Sequence, residues 1–411
     1  MNEKTRKILK AVILLYTLLM VSVFAFSFII GQNLHGDEQW HYRQVWFFLN
    51  GRWFLHGTIT MIPGYHFIMF LLGYLFNTNL LSHIRIFSFF FSFLTVVIFY
   101  LMAEKTNEKN SVIKTVQYFV MPIIFPFFFL VYTDIFSMLF LFIALFCTLS
   151  KKYTAAGIWG IISLFSRQNN VIWLAFLFCI IYVMEFGYSF ERKKIITHLK
   201  KRWIFLLGFL LIVLFVIFNK GFTLGDRGSH PIALHTGNVF LMLFLFFFLF
   251  LPLNVSNFKK IVIFLKENKT YFLYIAFFFV FYLLTYKNDH PYNNYTGIDD
   301  PFYFNLRTRL LVFSCSGLWQ KVLYFIPAAY AALSIRVTKL SDKSFYLLWP
   351  FTVLYLAPSW LIEQRYYMLT YSFFILFKEE ESPLVEYSTI VLYVLLTIFL
   401  FDGIVKWQFF L

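Results

Sequence analysis

Apolar and polar positions along this chain separate into long blocks instead of alternating finely. Runs of roughly 16 to 25 apolar residues recur from one end to the other with short polar connections between them, and blocks of that length predict membrane-crossing helices. The first block follows the basic tail MNEKTRKILK and stays apolar to Ile30. It is long enough to span, and no small-residue cleavage pattern follows it, so it is expected to remain as a signal anchor with its basic end in the cytosol.

The connections fall into two sets. Basic ones lie at 104–114 (EKTNEKNSVIK), 151–152 (KK), 191–202 (ERKKIITHLKKR), 259–269 (KKIVIFLKENK) and 336–343 (RVTKLSDK). Between them come YTD at 132, SRQNN at 166, NKGFTLGDRGSHPIALHTGN at 219, KNDHPYNNYTGIDDPFYFNLRTR at 287 and IEQR at 362. With the basic set cytosolic, the second set faces the far side throughout, and the parity predicts roughly 12–13 spans. The piece GYHFIMFLLGYLF at 64–76 is too short to cross upright, so it is expected to be embedded on the far side, leaving 84–102 as the second span. The expected organisation is a single all-α polytopic membrane domain over 1–411. It comprises a cytosolic tail (1–10), a first span (11–30), a far-side loop carrying amphipathic helices (31–83), and the remaining spans and loops (84–411).

Composition supports this class and removes others. Of 411 residues, 60% are hydrophobic and 13% charged, with 60 Phe and 26 Tyr, more than a soluble core can absorb. The formal charge of +15 sits in the short basic connections, a positive-inside signature, so no nucleic-acid partner is expected and the lipid bilayer is. Cys147, Cys179 and Cys315 lie inside apolar runs without metal or CxxC spacing and read as packed thiols. GxGxxG and GxxxxGK[ST] are absent, which argues against a nucleotide-sugar donor on a Rossmann fold. No internal repeat is visible, and the polar chemistry gathers on one side; both count against a transporter with midplane sites.

The densest chemistry is GDEQWHYRQVWFFLNGRW at 36–53, directly after the first apolar block. On a helix Asp37, His41 and Gln44 fall at i, i+4 and i+7 and share a stripe, while Trp40 and Phe47 lie on a neighbouring stripe suited to the membrane interface. Two readings stand: an interfacial amphipathic helix with solvated charges, or a carboxylate general base at the lipid–water boundary. Arg167, with Gln168, Asn169 and Asn170, either satisfies a broken helix or meets a ligand. Asp226 and Arg227 read as a pair in a turn built on Gly225 and Gly228 or as ligand contacts, and with the pair formed Ser229, His230 and His235 are still placed to meet a polar ligand. Glu363 and Arg365 read as an ion pair at a helix end, and Asp134 as an N-cap or a site residue. Arg85, near the mouth of the second span, is a weaker phosphate candidate.

Taken in order, GDEQWHYRQ, ITMIPGYH, IRIFSFF, FFFLVYTDIFSMLF, FSRQNNVIW, LGDRGSHPIALH and APSWLIEQRYYMLTY make the chain resemble a known family. It is the dolichyl-phosphate-glucose α-1,2-glucosyltransferases, of the GT-C class of lipid-phosphate-dependent glycosyltransferases. The resemblance implies an endoplasmic-reticulum enzyme with its site on the lumenal side. It implies inverting transfer of glucose from dolichyl phosphate glucose to a dolichyl-diphosphate-linked high-mannose oligosaccharide, forming the terminal α-1,2-glucose, without cofactor or metal. On the family's DE pair it points to Asp37 as base, with Glu38 as fallback or orienting partner. Arg167, Arg227 and then Arg365 are its candidates for phosphate, and His41, Gln44, Gln168, Asn169, Asp226, His230 and His235 for further substrate contacts. Alternatives are a mannosyl-transferring GT-C enzyme or a transporter.

One region departs from the pattern. Where the family carries a run resembling LLADNRHYTFYVWKR, this chain has KNDHPYNNYTGIDDPFYFNLRTR, with trailing Arg307 and Arg309 comparable but the Asn-Arg-His core missing. Asp299–Asp300 near that place resembles a metal-binding pair, a reading set aside because transfer from a lipid phosphate does not require a metal.

Overall fold

The computed structural model describes residues 2–294 and 305–411, and Asp299–Asp300 lies outside the described residues. It is all-α, with no strand among the described residues beyond isolated bridges. The chain divides into two compact units, Met1–Arg227 and Gly228–Leu411.

In the first unit the helices are α1 (Glu3–Ser27), α2 (Glu38–Leu49), α3 (Gly64–Leu75), α4 (Leu81–Thr106), α5 (Ser111–Phe119), α6 (Thr133–Leu149), α7 (Tyr153–Leu164), α8 (Val171–Phe186), α9 (Arg192–Lys201) and α10 (Trp203–Asn219). Asn2 caps α1 by accepting from the Thr5 N–H at 2.8 Å. The expected first span, embedded segment and second span correspond to α1, α3 and α4. Residues 121–131 are apolar too, yet Pro122 and Pro126 remove backbone donors and the stretch forms 3₁₀ and irregular turns, wholly buried. Irregular backbone among membrane helices is tolerable where protein covers it. Val45, Tyr65, Met69, Ile84, Val131 and Phe136 form the core that ties α2 and α3 to α4 and α6.

In the second unit follow α11 (Gly237–Leu249), α12 (Leu251–Glu267), α13 (Tyr271–Thr285), α14 (Pro291–Asn294), α15 (Leu306–Cys315), α16 (Leu318–Val337), α17 (Leu348–Leu356), α18 (Met368–Phe377) and α19 (Pro383–Val405).

Four helices among the described residues are long and apolar enough to cross a membrane, or up to seven if three sharply bent pairs each count as one. That is fewer than the parity count, because Pro252 and Gly317 stand at two of the bends (96° and 117°) and four further apolar helices are shorter. All three cysteines are free thiols.

Within each unit, members of each set of connections contact one another. In the first, Lys7 of the tail pairs with Glu108 at 2.5 Å, and Arg202 sits 4.2 Å over the Tyr153 ring. The other set joins itself: the Tyr132 hydroxyl donates to His35 O at 3.0 Å and Leu224 N to Thr60 O at 3.1 Å. In the second unit Lys260 pairs with Glu381, while His290 Nε2 lies 2.9 Å from Ser229 O and His235 N donates to Ala357 O at 2.7 Å.

Candidate functional site

The carboxylates of GDEQ part company at the start of α2, because successive helical residues point about 100° apart. Asp37 occupies the N-cap position and is exposed. Glu38 is 0% exposed and paired with Arg85 of α4, also 0% exposed. Arg85 Nε donates to Glu38 Oε1 at 2.8 Å and Nη2 to Oε2 at 2.6 Å, the bidentate fork that a guanidinium suits best. Its remaining N–H groups serve the carbonyls of Ile29 (2.7 Å), Gln32 (2.8 Å) and Asn33 (2.8 Å). Glu38 also accepts from the backbone N–H groups of Val131 and His35, both at 3.0 Å. Arg85, expected as a weak phosphate candidate, is therefore saturated: it binds the turn between α1 and α2 and has no donor left for a ligand.

His41 and Gln44 are buried, so the stripe they share turns inward under the helix start and does not reach solvent beside Asp37. His41 Nδ1 lies 3.0 Å from His66 Nε2 of α3. Gln44 donates to Phe54 O at 3.0 Å and accepts from His56 N at 2.7 Å, holding the loop after α2. Trp40 is half-buried, stacked on His56 with centroids 5.2 Å apart, and Phe47 is buried against Phe54 instead of facing lipid.

SRQNN forms a 3₁₀ turn between α7 and α8. Gln168 does there what Gln44 does elsewhere: Nε2 donates to Thr60 O (2.9 Å) and Phe222 O (3.0 Å), and Oε1 accepts from Ile62 N (3.2 Å). Asn170 is satisfied by Ser137 and Ser163, and Asn169 is half-buried in the same turn. Arg167 pairs with Asp134 at 3.0 Å and reaches Thr133 Oγ1 at 3.3 Å. Asp134 is thus not the N-cap of α6, a position held by Tyr132, but the partner of Arg167. Arg227 is exposed and donates to the carbonyl and side chain of Asn219, beside half-buried Asp226. At Gly225 a Cβ would stand 2.3 Å from Gly57 O, so glycine is required for the 222–225 turn to lie on the 57–60 loop.

The second unit has its own polar assembly on the segment after α17. Asn238 of α11 uses its whole amide: Nδ2 donates to Ser359 O and Leu361 O, and Oδ1 accepts from Glu363 N and the Tyr367 hydroxyl. Asn293 brackets Ile362 from the other side, donating to its carbonyl and accepting from its N–H, both at 2.9 Å. So held, Glu363 pairs with Arg307 of α15 and, at 3.2 Å, with Arg365, all three largely buried. Trp360 donates to Asp289 at 2.7 Å, His235 stacks on its indole at 6.0 Å, and His230 lies 6.3 Å from His290. Burial lowers the His235 pKa below its ordinary value, Asp289 opposing. Among the described residues no group of three or more His, Cys, Asp or Glu could hold a metal ion.

Arg307, Asn238, Asn293 and Trp360 are the participants that spacing alone did not single out. The cue in sequence was polarity within otherwise apolar helices, as at Asn238 two residues into α11.

Helical spans, irregular polar loops pinned by buried amides, and ion pairs where the helices begin define a polytopic membrane protein built around polar chemistry at its loops. The chain belongs to the DIE2/ALG10 family, whose profile matches residues 32–196 and 182–376. A relative from Candida albicans is 29% identical over 320 residues, 73% of this chain and 70% of its own. One from Candida glabrata is 25% identical over 403 residues, 83% and 74% of the two chains, and one from Homo sapiens 26% identical over 335 residues, 70% and 69%. Each is named Dol-P-Glc:Glc(2)Man(9)GlcNAc(2)-PP-Dol alpha-1,2-glucosyltransferase. No solved structure matches the chain.

Proposed function

We infer that this chain is a glucosyltransferase that moves glucose from dolichyl phosphate glucose to a dolichyl-diphosphate-linked high-mannose oligosaccharide, forming the terminal α-1,2-glucose of the N-glycan precursor. The family and the shared name of relatives aligned over most of their length support the substrates. The membrane is that of the endoplasmic reticulum, with the 31–83 loop in the lumen. Supporting that orientation are the positive-inside pattern and the contacts that members of each set of connections make with one another within each unit.

The observation that carries the chemistry is the split of the DE pair. Transfer with inversion needs a base to take the proton of the acceptor hydroxyl, whereas the leaving lipid phosphate has a low pKa and needs no acid. Asp37 is the base: it is exposed, and the residue after it is locked by two carboxylate–guanidinium bonds and two backbone N–H groups. Glu38 is the positioning residue for it. Gln44 and Gln168 shape the 54–62 loop and act on substrate through it. His230 and His235, beside Trp360, offer ring surfaces and nitrogens to sugar hydroxyls. Among the arginines expected at phosphate, Arg167 is engaged by Asp134, Arg227 by Asn219 and Arg365 by Glu363.

The test is purified protein in lipid with labelled dolichyl phosphate glucose and diglucosylated acceptor, run beside Asp37→Asn. The variant should fold normally and bind donor while turnover drops ~10²–10⁴-fold, the usual worth of a general base. Transfer by both forms, or by neither, defeats the reading; transfer only from dolichyl phosphate mannose reassigns the hexose. A glycosylation reporter near residue 195 should stay unmodified and one near 228 become glycosylated, and the reverse overturns the orientation.

A further inference from the structure

Trp40 stands three positions into α2 from Asp37, and its backbone N–H donates to the Asp37 carbonyl at 3.0 Å. Side chains at that spacing are neighbours on a helix surface, about 5–6 Å apart at Cβ. The Trp40 ring is half-buried and lies on the His56 imidazole, with centroids 5.2 Å apart and planes 24° from parallel. His56 is itself fixed. Its N–H donates to Gln44 Oε1 at 2.7 Å, its carbonyl accepts from Ile59 N at 3.0 Å, and its Nδ1 accepts from the Thr58 N–H at 3.4 Å beside the Thr58 hydroxyl at 2.8 Å. An Nδ1 that accepts leaves the ring proton on Nε2. Burial, and then the Arg43 charge, lower the His56 pKa, so near neutral pH the ring offers a hydrogen bond and no charge. Among the described residues neither His56 Nε2 nor Trp40 Nε1 has a protein acceptor, and no ring other than His56 stacks on Trp40. A fixed aromatic step with two N–H donors at its edges thus stands beside an exposed carboxylate. A pyranose fits that combination: the C–H groups of one face cover an apolar ring, and the hydroxyls around the rim meet donors and acceptors. A lipid chain would use only the rings, and an anion only the donors.

We propose that Trp40 and His56 form the subsite for the terminal sugar of the acceptor oligosaccharide, Trp40 carrying the sugar ring and His56 a hydroxyl, an assignment that rests on the glucosyltransferase reading and on Asp37 as its base. In the transfer step the bond between glucose C1 and the phosphate oxygen breaks, its electron pair going to that oxygen. C1 bonds to the acceptor oxygen, whose proton passes to Asp37. With inversion the attacking oxygen and the leaving phosphate lie on opposite sides of C1, so the sugar beside the base is the acceptor's and not the donor's. Gln44 and Gln168 then act on substrate through His56, because they hold the loop that carries it.

Binding of the diglucosylated dolichyl-diphosphate oligosaccharide to the purified full-length protein in nanodiscs, beside binding of the same lipid without its glucoses, reads the subsite independently of turnover. Wild type should prefer the diglucosylated lipid. Trp40→Leu should cut that preference ~10-fold, which corresponds to about 1.4 kcal/mol, and leave binding of the unglucosylated lipid and of dolichyl phosphate glucose unchanged. In steady state the acceptor KM should rise by the same factor while the donor KM holds. Trp40→Phe and His56→Phe each keep a ring in the stack and delete one N–H donor, and each should cost ~2–10-fold, the worth of one hydrogen bond. Folded variants that bind the diglucosylated lipid as wild type does overturn the subsite, as does a rise confined to donor KM. If wild type transfers glucose as expected and all three variants keep its acceptor KM, the subsite falls and the transferase reading stands. Should wild type fail to transfer glucose yet bind the diglucosylated lipid in a Trp40-dependent way, the transferase reading falls and the sugar subsite stands.

Discussion

Arg85 and Arg307 are both guanidiniums set against a buried glutamate, and they differ in what is left over. Arg85 faces one carboxylate, its other N–H groups end on three carbonyls, and Glu38 completes its own shell with two backbone N–H groups. Arg307 shares its glutamate with a second arginine and keeps a buried N–H without an acceptor. A saturated pair is a structural joint, since any ligand would have to displace bonds of equal quality. An unsaturated pair leaves a deficit that a ligand can fill. Residue type does not separate the two; counting donors against acceptors does.

The largest test of that contrast is to truncate the two arginines alike. Arg85→Gln leaves Glu38 buried without its cation and withdraws the guanidinium donors from the carbonyls of the α1–α2 turn, and breaking a buried pair in this way costs about 3–5 kcal/mol. The variant should be recovered in poor yield or with a strongly lowered thermal midpoint. Neutralising the partner as well, in Glu38→Gln/Arg85→Gln, should restore part of the loss. Arg307→Gln leaves Glu363 its Arg365 partner and should lower stability by only about 1 kcal/mol. Equal thermal losses in the two single variants would remove the distinction between the saturated and the unsaturated pair.

The sequence already showed the class and the apolar helices α1, α3 and α4, because block length in an apolar chain reports on membrane crossing. GDEQ also stood out as the start of the densest polar stretch. What it did not show was that Asp37 and Glu38 have opposite fates, since that depends on Arg85, forty-seven positions further on, entering from α4. The shared stripe of Asp37, His41 and Gln44 was legible as periodicity, but its direction was not: the core under α2 turned His41 and Gln44 inward. Gln168 was expected to meet substrate and Asn238 was not singled out, because an amide that brackets a distant loop leaves no spacing signal. Arg307 was visible only as the tail of a divergent loop. Its partners are Glu363 and Gln364, which the fold of the second unit brings to it.

Acid sharpens the comparison from the other side, through His35. Its backbone N–H donates to Glu38, its carbonyl accepts from the Tyr132 hydroxyl, and its ring bonds Gln32 close to Arg85. Burial first, and then the Arg85 charge, depress its pKa from 6.5 to about 4. Between those values the unfolded chain binds more protons than the folded one, so the stabilisation present above about pH 6.5 is lost as pH falls and flattens out below about 4. At 1.36 kcal/mol per unit the loss amounts to roughly 3 kcal/mol. A proton on His35 would place a second cation beside a single glutamate, Glu38. The measurement is the thermal midpoint in nanodiscs from pH 7.5 to 4.5 for wild type and for His35→Gln, which keeps the backbone bond to Glu38 but cannot take up the proton. Wild type should lose stability steadily below pH 6.5 and the variant much less. Parallel curves would mean that His35 is not the group that titrates there.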